Sequence, residues 1–239
     1  MHGYRAADLI RTINMHQAQI QESGNVLFII LIVIVLLGLL SVAIQSTSYQ
    51  GSENIDQETL IIRWADVRQH AAEIETAVRF IFQNDFSEND IRFAHPNANT
   101  DYGLITDNPE RQVFSPQGGG ASYKTPPSGI NDGSNWEFYG GTHMPDVGSD
   151  RAELVALLPN VSDEFCDFVN DSVGYTGIPN DNGNCVYEAA SGRFDGGTLF
   201  AMTPNTTEEA TFSETPSYKA CITCQTDGSK HYVHVLMAR

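Results

Sequence analysis

TLIIRWADVRQHAAEIETAVRFIFQND, residues 59–85, decides how the chain is read. Leu60, Trp64, Val67, Ala71, Ile74, Val78 and Ile81 recur at alternating spacings of four and three, which places them on one face of an α-helix. Arg63, Asp66, Glu73 and Arg79 fall mainly on other faces. An apolar stripe of this kind has to be covered. At about three heptads it is short for a coiled coil with another chain, so the expected cover is the chain's own domain.

Upstream lies VLFIILIVIVLLGLLSVAI, residues 26–44, with no charged residue and only Gly38 and Ser41 to interrupt the apolar run. As a helix it would extend roughly 28 Å, against about 30 Å for the hydrocarbon of a bilayer, and is expected to cross a membrane once. A cleaved signal peptide, with Ser41-Val42-Ala43 as its small-residue cleavage site, is the first alternative. The run exceeds the usual length of about 7–15 residues for such a signal, which favours a retained helix. QSTSYQGSENIDQE, residues 45–58, joins the two segments, with Gly51-Ser52 as the expected kink.

The totals bound the partners. In 239 residues the formal charge is −17, and the segment up to Gly24 is balanced, so the excess acid lies beyond the apolar run. Phosphate-backbone binding requires clustered Lys and Arg, so nucleic acid is not an expected partner of the large domain. All four cysteines, Cys166, Cys185, Cys221 and Cys224, lie in that acidic part and suit disulfides in an oxidising compartment. Arg5 and Arg11 precede the apolar run, which favours an N-terminus in the cytoplasm and a C-terminal domain outside.

From Ile91 the pattern changes to short β-like runs between Gly, Pro, Asn and Asp: QVF at 112–114, ASYK at 121–124, NWEFY at 135–139, TLFAM at 198–202, SYKACI at 217–222 and HYVHVLM at 231–237. These predict a small antiparallel sheet. Two short helices are expected midway, RAELVALL behind a capping box of Asp150 and Glu153, and DEFCDFVNDSV capped by Ser162 and stopped at Gly174. The expected class is therefore α+β, a long N-terminal hydrophobic and amphipathic helix packed on a small antiparallel β-sheet domain. Its segments are 1–24, a leader or cytoplasmic segment; 25–50, a transmembrane or filament-core helix; 51–90, an amphipathic helix; and 91–239, an extracytoplasmic, mostly β domain with two disulfides.

An apolar N-terminal helix running through a Gly/Ser kink into an amphipathic half that carries a mostly β domain resembles type IV pilins and the pseudopilins of secretion systems. The family's peptidase site, a cut after a glycine, maps onto Ser23-Gly24 followed by Asn25-Val26-Leu27-Phe28. The resemblance implies processing between Gly24 and Asn25, and a filament core packed through Leu27, Phe28, Ile29, Leu31, Ile34, Leu36, Gly38 and Leu39. The chain departs from the family at Asn25, where an aromatic residue or Met is usual, and at Ile29, where a Glu is usual; some minor pseudopilins also lack that acid. GNVLFIILIVIVLLGLLSVAI at 24–44, SYKTPP at 122–127 and VLMAR at 235–239 also resemble a group of alphaproteobacterial envelope proteins with one N-terminal membrane segment.

The candidate chemistry is sparse. Cys221-Ile222-Thr223-Cys224 has redox or zinc spacing, but it lies in a β-like stretch and lacks a helix N-terminus to activate a thiol. Four cysteines allow three pairings; Cys166 with Cys185 and Cys221 with Cys224 is favoured because each closes a short loop, and the second would resemble the C-terminal disulfide loop of many pilins. Cys221, Cys224, His231 and His234 could be written as a zinc set, yet strand residues three apart point to opposite faces, so one buried and one exposed His is the preferred expectation. Gly118–Gly120 with Lys124 is rejected as a phosphate loop because Pro126-Pro127 forbid the helix that would follow. Asn180-Asp181-Asn182-Gly183-Asn184 offers oxygen ligands without the closing Glu of a calcium loop, and an Asx-rich turn is preferred. Sequons stand at Asn160, Asn170 and Asn205.

No metal, cofactor or catalytic residue is expected. The leading expectation is a structural, pilin-like or minor pseudopilin-like subunit of a bacterial envelope filament. Its partners would be copies of itself or other pilin-like subunits, with inner-membrane lipid before assembly. The alternative is a single-pass anchored extracytoplasmic binding domain that does not polymerise. An anchored hydrolase would require a pocket with converging polar groups.

Overall fold

The structure, a computed structural model, describes residues 6–186, 192–195, 197, 199–208, 210, 212 and 218–239; before residue 57, side chains are described at 26 and 28–38. Helix α1 spans Ala6–Gln83, and the boundary between two compact units, Met1–Glu58 and Thr59–Arg239, falls within it. Gly51-Ser52, the expected kink, lies within this helix.

The second unit is built on the helical stripe. Trp64, Val67, Ala71, Ile74, Val78 and Ile81 are all buried, and Leu60 packs against them half-buried. Each fully buried large aliphatic or aromatic side chain contributes about 1.5–3 kcal/mol relative to exposure. Trp64 meets Phe165 edge-on at 6.2 Å and Tyr232 at 5.4 Å, which joins the helix to the elements that carry those rings.

Phe165 belongs to α2, Asp163–Val173, and Tyr232 to the last strand. The ends of α2 follow from sequence: the Ser162 side chain accepts from the Phe165 N–H, and Gly174 closes the helix at φ +95°, a conformation open to a residue without a Cβ.

The strands are β1 (Glu137–Tyr139), β2 (Thr142–His143), β3 (Leu154–Leu158), β4 (Asn180–Asp181), β5 (Asn205–Thr206), β6 (Lys219–Cys224) and β7 (Lys230–Met237). One sheet has the order β1-β3-β7-β6-β4, and β2 pairs with β5. Parity separates two cores: Leu154, Ala156, Leu158, Tyr232, Leu236 and Cys221 face the α1 side, whereas Val155, Leu157, Val233, Val235, Ala220 and Ile222 join Met144, Tyr175 and Phe212.

Several expectations are corrected here. The sheet is mixed, because β4 runs parallel to β6, and the two-stranded pair β2–β5 is also parallel. Among the described residues no helix is long and apolar enough to cross a membrane. The expected class of a long apolar N-terminal helix on a small antiparallel sheet is thus replaced by an α+β fold with a mixed sheet.

RAELVALL does not form a helix: Leu154–Leu158 is strand β3, flanked by β1 and β7 and buried on both faces. A short continuous apolar run fits a doubly covered strand as well as a helix, and Glu153 takes no part in a cap. QVF and ASYK form no strand; Gln112 makes only an isolated bridge to Arg92.

Candidate binding cleft

On α1, Ala65, Arg68, Gln69, Ala72 and Glu75 follow one another at helical spacing beside the buried stripe. With Lys219 of β6 and His234 of β7 they line a cleft of about 520 Å³. Lys219 and His234 are register partners on adjacent antiparallel strands, so both side chains emerge on the face toward α1. Ala65 and Ala72 leave space between the longer helix side chains.

The floor is a chain of polar groups. Tyr232 Oη lies 3.2 Å from His234 Nδ1, His234 Nε2 lies 3.1 Å from Glu75 Oε2, and Arg79 donates to Glu75 Oε1. An ionised carboxylate only accepts, so His234 carries its proton on Nε2, and its Nδ1 accepts from the Tyr232 hydroxyl when the ring is neutral. The bond from His234, together with Arg79 nearby, holds the Glu75 carboxyl below its usual range against the opposing effect of burial. Complete burial pushes the Tyr232 phenol far upward, so it stays protonated.

The cations at the rim differ from those at the floor. Arg79 is committed to Glu75, whereas Arg68 and Lys219 make no ion pair among the described residues. Arg68 is exposed and Lys219 half-buried. Glu75, the one acid among the lining residues, is already engaged from two sides.

Most sequence-level candidates resolve into structural roles. The cysteines form disulfides in a different pattern from the expected one, Cys166–Cys221 and Cys185–Cys224, with Cα separations of 5.2 and 5.4 Å. Strand geometry is the reason. Cys221 and Cys224 are three apart on β6 and point to opposite faces, so Cys221 reaches α2 while Cys224 reaches the segment after β4.

His231 and His234 are both buried, at 4% and 8% exposure, because β7 lies inside the sheet with both faces covered; the expected exposed His is absent. His231 Nε2 is 2.7 Å from Ser229 Oγ on one side, and His234 faces Glu75 on the other. Among the described residues no group of three or more His, Cys, Asp or Glu is placed to hold a metal ion.

Gly119 packs on α1 so closely that a Cβ there would stand 2.7 Å from the Ala77 Cβ, and Lys124 pairs with Glu73 at 3.3 Å. The Gly-rich turn therefore serves close backbone approach. In the Asn180–Asn184 segment, Asp181 Oδ1 accepts from the Gly183 N–H in an Asx turn, and burial pushes its carboxyl up to about 6. Asn170 is fully buried, and its amide bonds both the N–H and the C=O of Cys221, so this sequon is a structural clamp.

Of the expected assembly residues, Phe28, Ile29, Leu31, Ile34 and Leu36 are each at least half exposed. The side chains of Gly24, Asn25, Leu27 and Leu39, and of the alternative cleavage site Ser41–Ala43, lie outside the described residues.

The cleft itself escaped sequence reading. Its helical half carries no motif, and the pairing of Lys219 with His234 depends on β-register. Compared with known proteins, the chain matches no family model, no curated protein and no solved structure.

Proposed function

We propose that the chain is a structural subunit of a bacterial envelope-associated assembly, with its disulfide-stapled domain outside the cytoplasm. The observation that carries this reading is the row of exposed apolar side chains in the first unit. Val26 and the residues from Phe28 to Leu37 are each between 41% and 64% exposed. A contiguous apolar surface of this kind is costly in water and is relieved by packing against like surfaces. Copies of the same chain, or related subunits carrying a matching row, are the partners that fit.

The two disulfides support an oxidising compartment, and the acidic balance of −17 favours solubility of the domain on the outside of such an assembly. No residue is assigned a catalytic role. The test is to shear surface filaments from cells that make the protein and to probe them for this polypeptide by immunogold labelling and mass spectrometry. Labelled filaments are expected. Filaments from producing cells that lack it would overturn the proposal.

The second reading is a ligand-binding domain that does not polymerise. What favours it is the cleft at Arg68, Lys219 and His234. A monodisperse monomer recovered from the envelope at every concentration would favour it over the first.

A further inference from the structure

The geometry points to the cleft between α1 and the β6–β7 pair as a binding site for a small oxyanion, a carboxylate or a phosphate, held between the Arg68 guanidinium and the Lys219 ammonium. Four observations converge on it.

The first is size. About 520 Å³ falls within the roughly 300–1,000 Å³ of small-molecule sites. The second is charge. In a chain of formal charge −17, two cations without a carboxylate partner among the described residues line the same concave surface. Carboxylates farther than the Debye length, about 10 Å at 0.1 M salt, are largely screened from it.

The third is the state of the one acid in the lining. Glu75 is bound by Arg79 and by His234, so its charge is turned away from the rim cations instead of neutralising them. The fourth is preorganisation. His234 is fixed at both ring nitrogens, one toward Tyr232 and one toward Glu75, and Lys219 is held opposite it by strand register. The floor therefore does not have to rearrange when an anion enters, which lowers the cost of binding.

Arg68 offers a planar fork suited to two oxygens of one carboxylate or phosphate, and Lys219 a point charge that completes the pair. Gln69 supplies a neutral amide donor on the same helix face. This inference does not depend on self-association; an isolated subunit would bind the anion equally.

The test uses the full-length chain in low-salt buffer, titrated calorimetrically with citrate and, separately, with inorganic phosphate. One saturable site of submillimolar affinity for at least one of the two is expected, weakening severalfold when 150 mM sodium chloride is added. Tighter citrate binding would name the ligand class as carboxylate, and tighter phosphate binding as phosphoryl.

Arg68→Ala and Lys219→Ala are each expected to weaken the site at least tenfold. Arg63→Ala, which removes the same charge from a residue outside this cleft, should leave the affinity within twofold. The Arg68 side chain makes no hydrogen bond or ion pair among the described residues, so its variant should keep the parent thermal midpoint and remain interpretable. Absence of saturable binding with both anions, or equal weakening by Arg63→Ala and Arg68→Ala, would overturn the inference.

Discussion

Replacing Glu153 by Gln should change how stability depends on pH more than it changes stability at any one pH. Glu153 is fully buried; its Oε2 accepts from the Met144 N–H at 2.7 Å, and its Oε1 lies 3.3 Å from His143 Nδ1. Burial outweighs both contacts and pushes the carboxyl from its ordinary 4.5 up to about 7. The folded chain therefore holds this proton more tightly than the unfolded chain. At about 1.36 kcal/mol per pH step, the carboxyl contributes about 3 kcal/mol that is fully present below pH 4.5 and lost as pH rises through 7.

Other groups titrate in the same range. Asp181, raised to about 6, acts in the same direction. His70 and His231, lowered to about 4 by burial, act in the opposite one, giving stability that is present above 6.5 and lost as pH falls toward 4. The parent profile alone is thus a sum of opposing slopes, and the difference between parent and Glu153→Gln isolates the carboxyl. Urea unfolding followed by fluorescence of the buried Trp64 and Trp136, at half-unit steps from pH 4.5 to 8, measures it. The parent should lose about 3 kcal/mol relative to the variant across that range. Parallel curves, or a parent that gains on the variant as pH rises, would refute the reasoning.

Peptide mapping of the non-reduced protein should recover Cys166 linked to Cys221 and Cys185 linked to Cys224; removing the first pair as a double Ala variant should cost about 4 kcal/mol, from its sequence separation of 55, read in chemical denaturation. Ile74→Ala, at a position with 0% exposure, should cost about 2–5 kcal/mol, whereas Ile62→Ala, at 69% exposure, should stay within about 0.5 kcal/mol in the same assay. Arg239→Ala removes a paired contact to Glu88, a bond to the Ala152 carbonyl at 3.2 Å and a stack 3.9 Å over the Phe200 ring; about 1.5–3 kcal/mol should be lost, seen as a lowered thermal midpoint.

The elements legible in the sequence were those whose signal is local. The stripe from Leu60 to Ile81 needs only helical spacing, and α2 carries its own cap at Ser162 and stop at Gly174. Strand β3 reads as a helix because LVALL has no polar alternation when both faces are covered, and Asp150 and Glu153 imitate a capping pair; Glu153 instead contacts Met144 and His143. The cysteine pairing has a signal in the sequence that loop length does not capture. Strand parity, which separates Cys221 from Cys224 as metal ligands, equally forbids bonding them to each other. The cleft was not legible at all. Arg68 and Lys219 share it only because β6 pairs with β7 in the register that sets Lys219 against His234.

The interleaving of the two disulfides has a further consequence for proteolysis. Cys166 and Cys185 precede Cys221 and Cys224 in the chain, and each bond spans one end of the other. A single protease cut anywhere from residue 167 to residue 223 therefore releases nothing, since at least one bond always bridges the cut. Had each bond closed its own short loop, one nick between residues 186 and 220 would have freed the last two strands. The chain can be cleaved in that region and keep every fragment in place, showing its scars only after reduction.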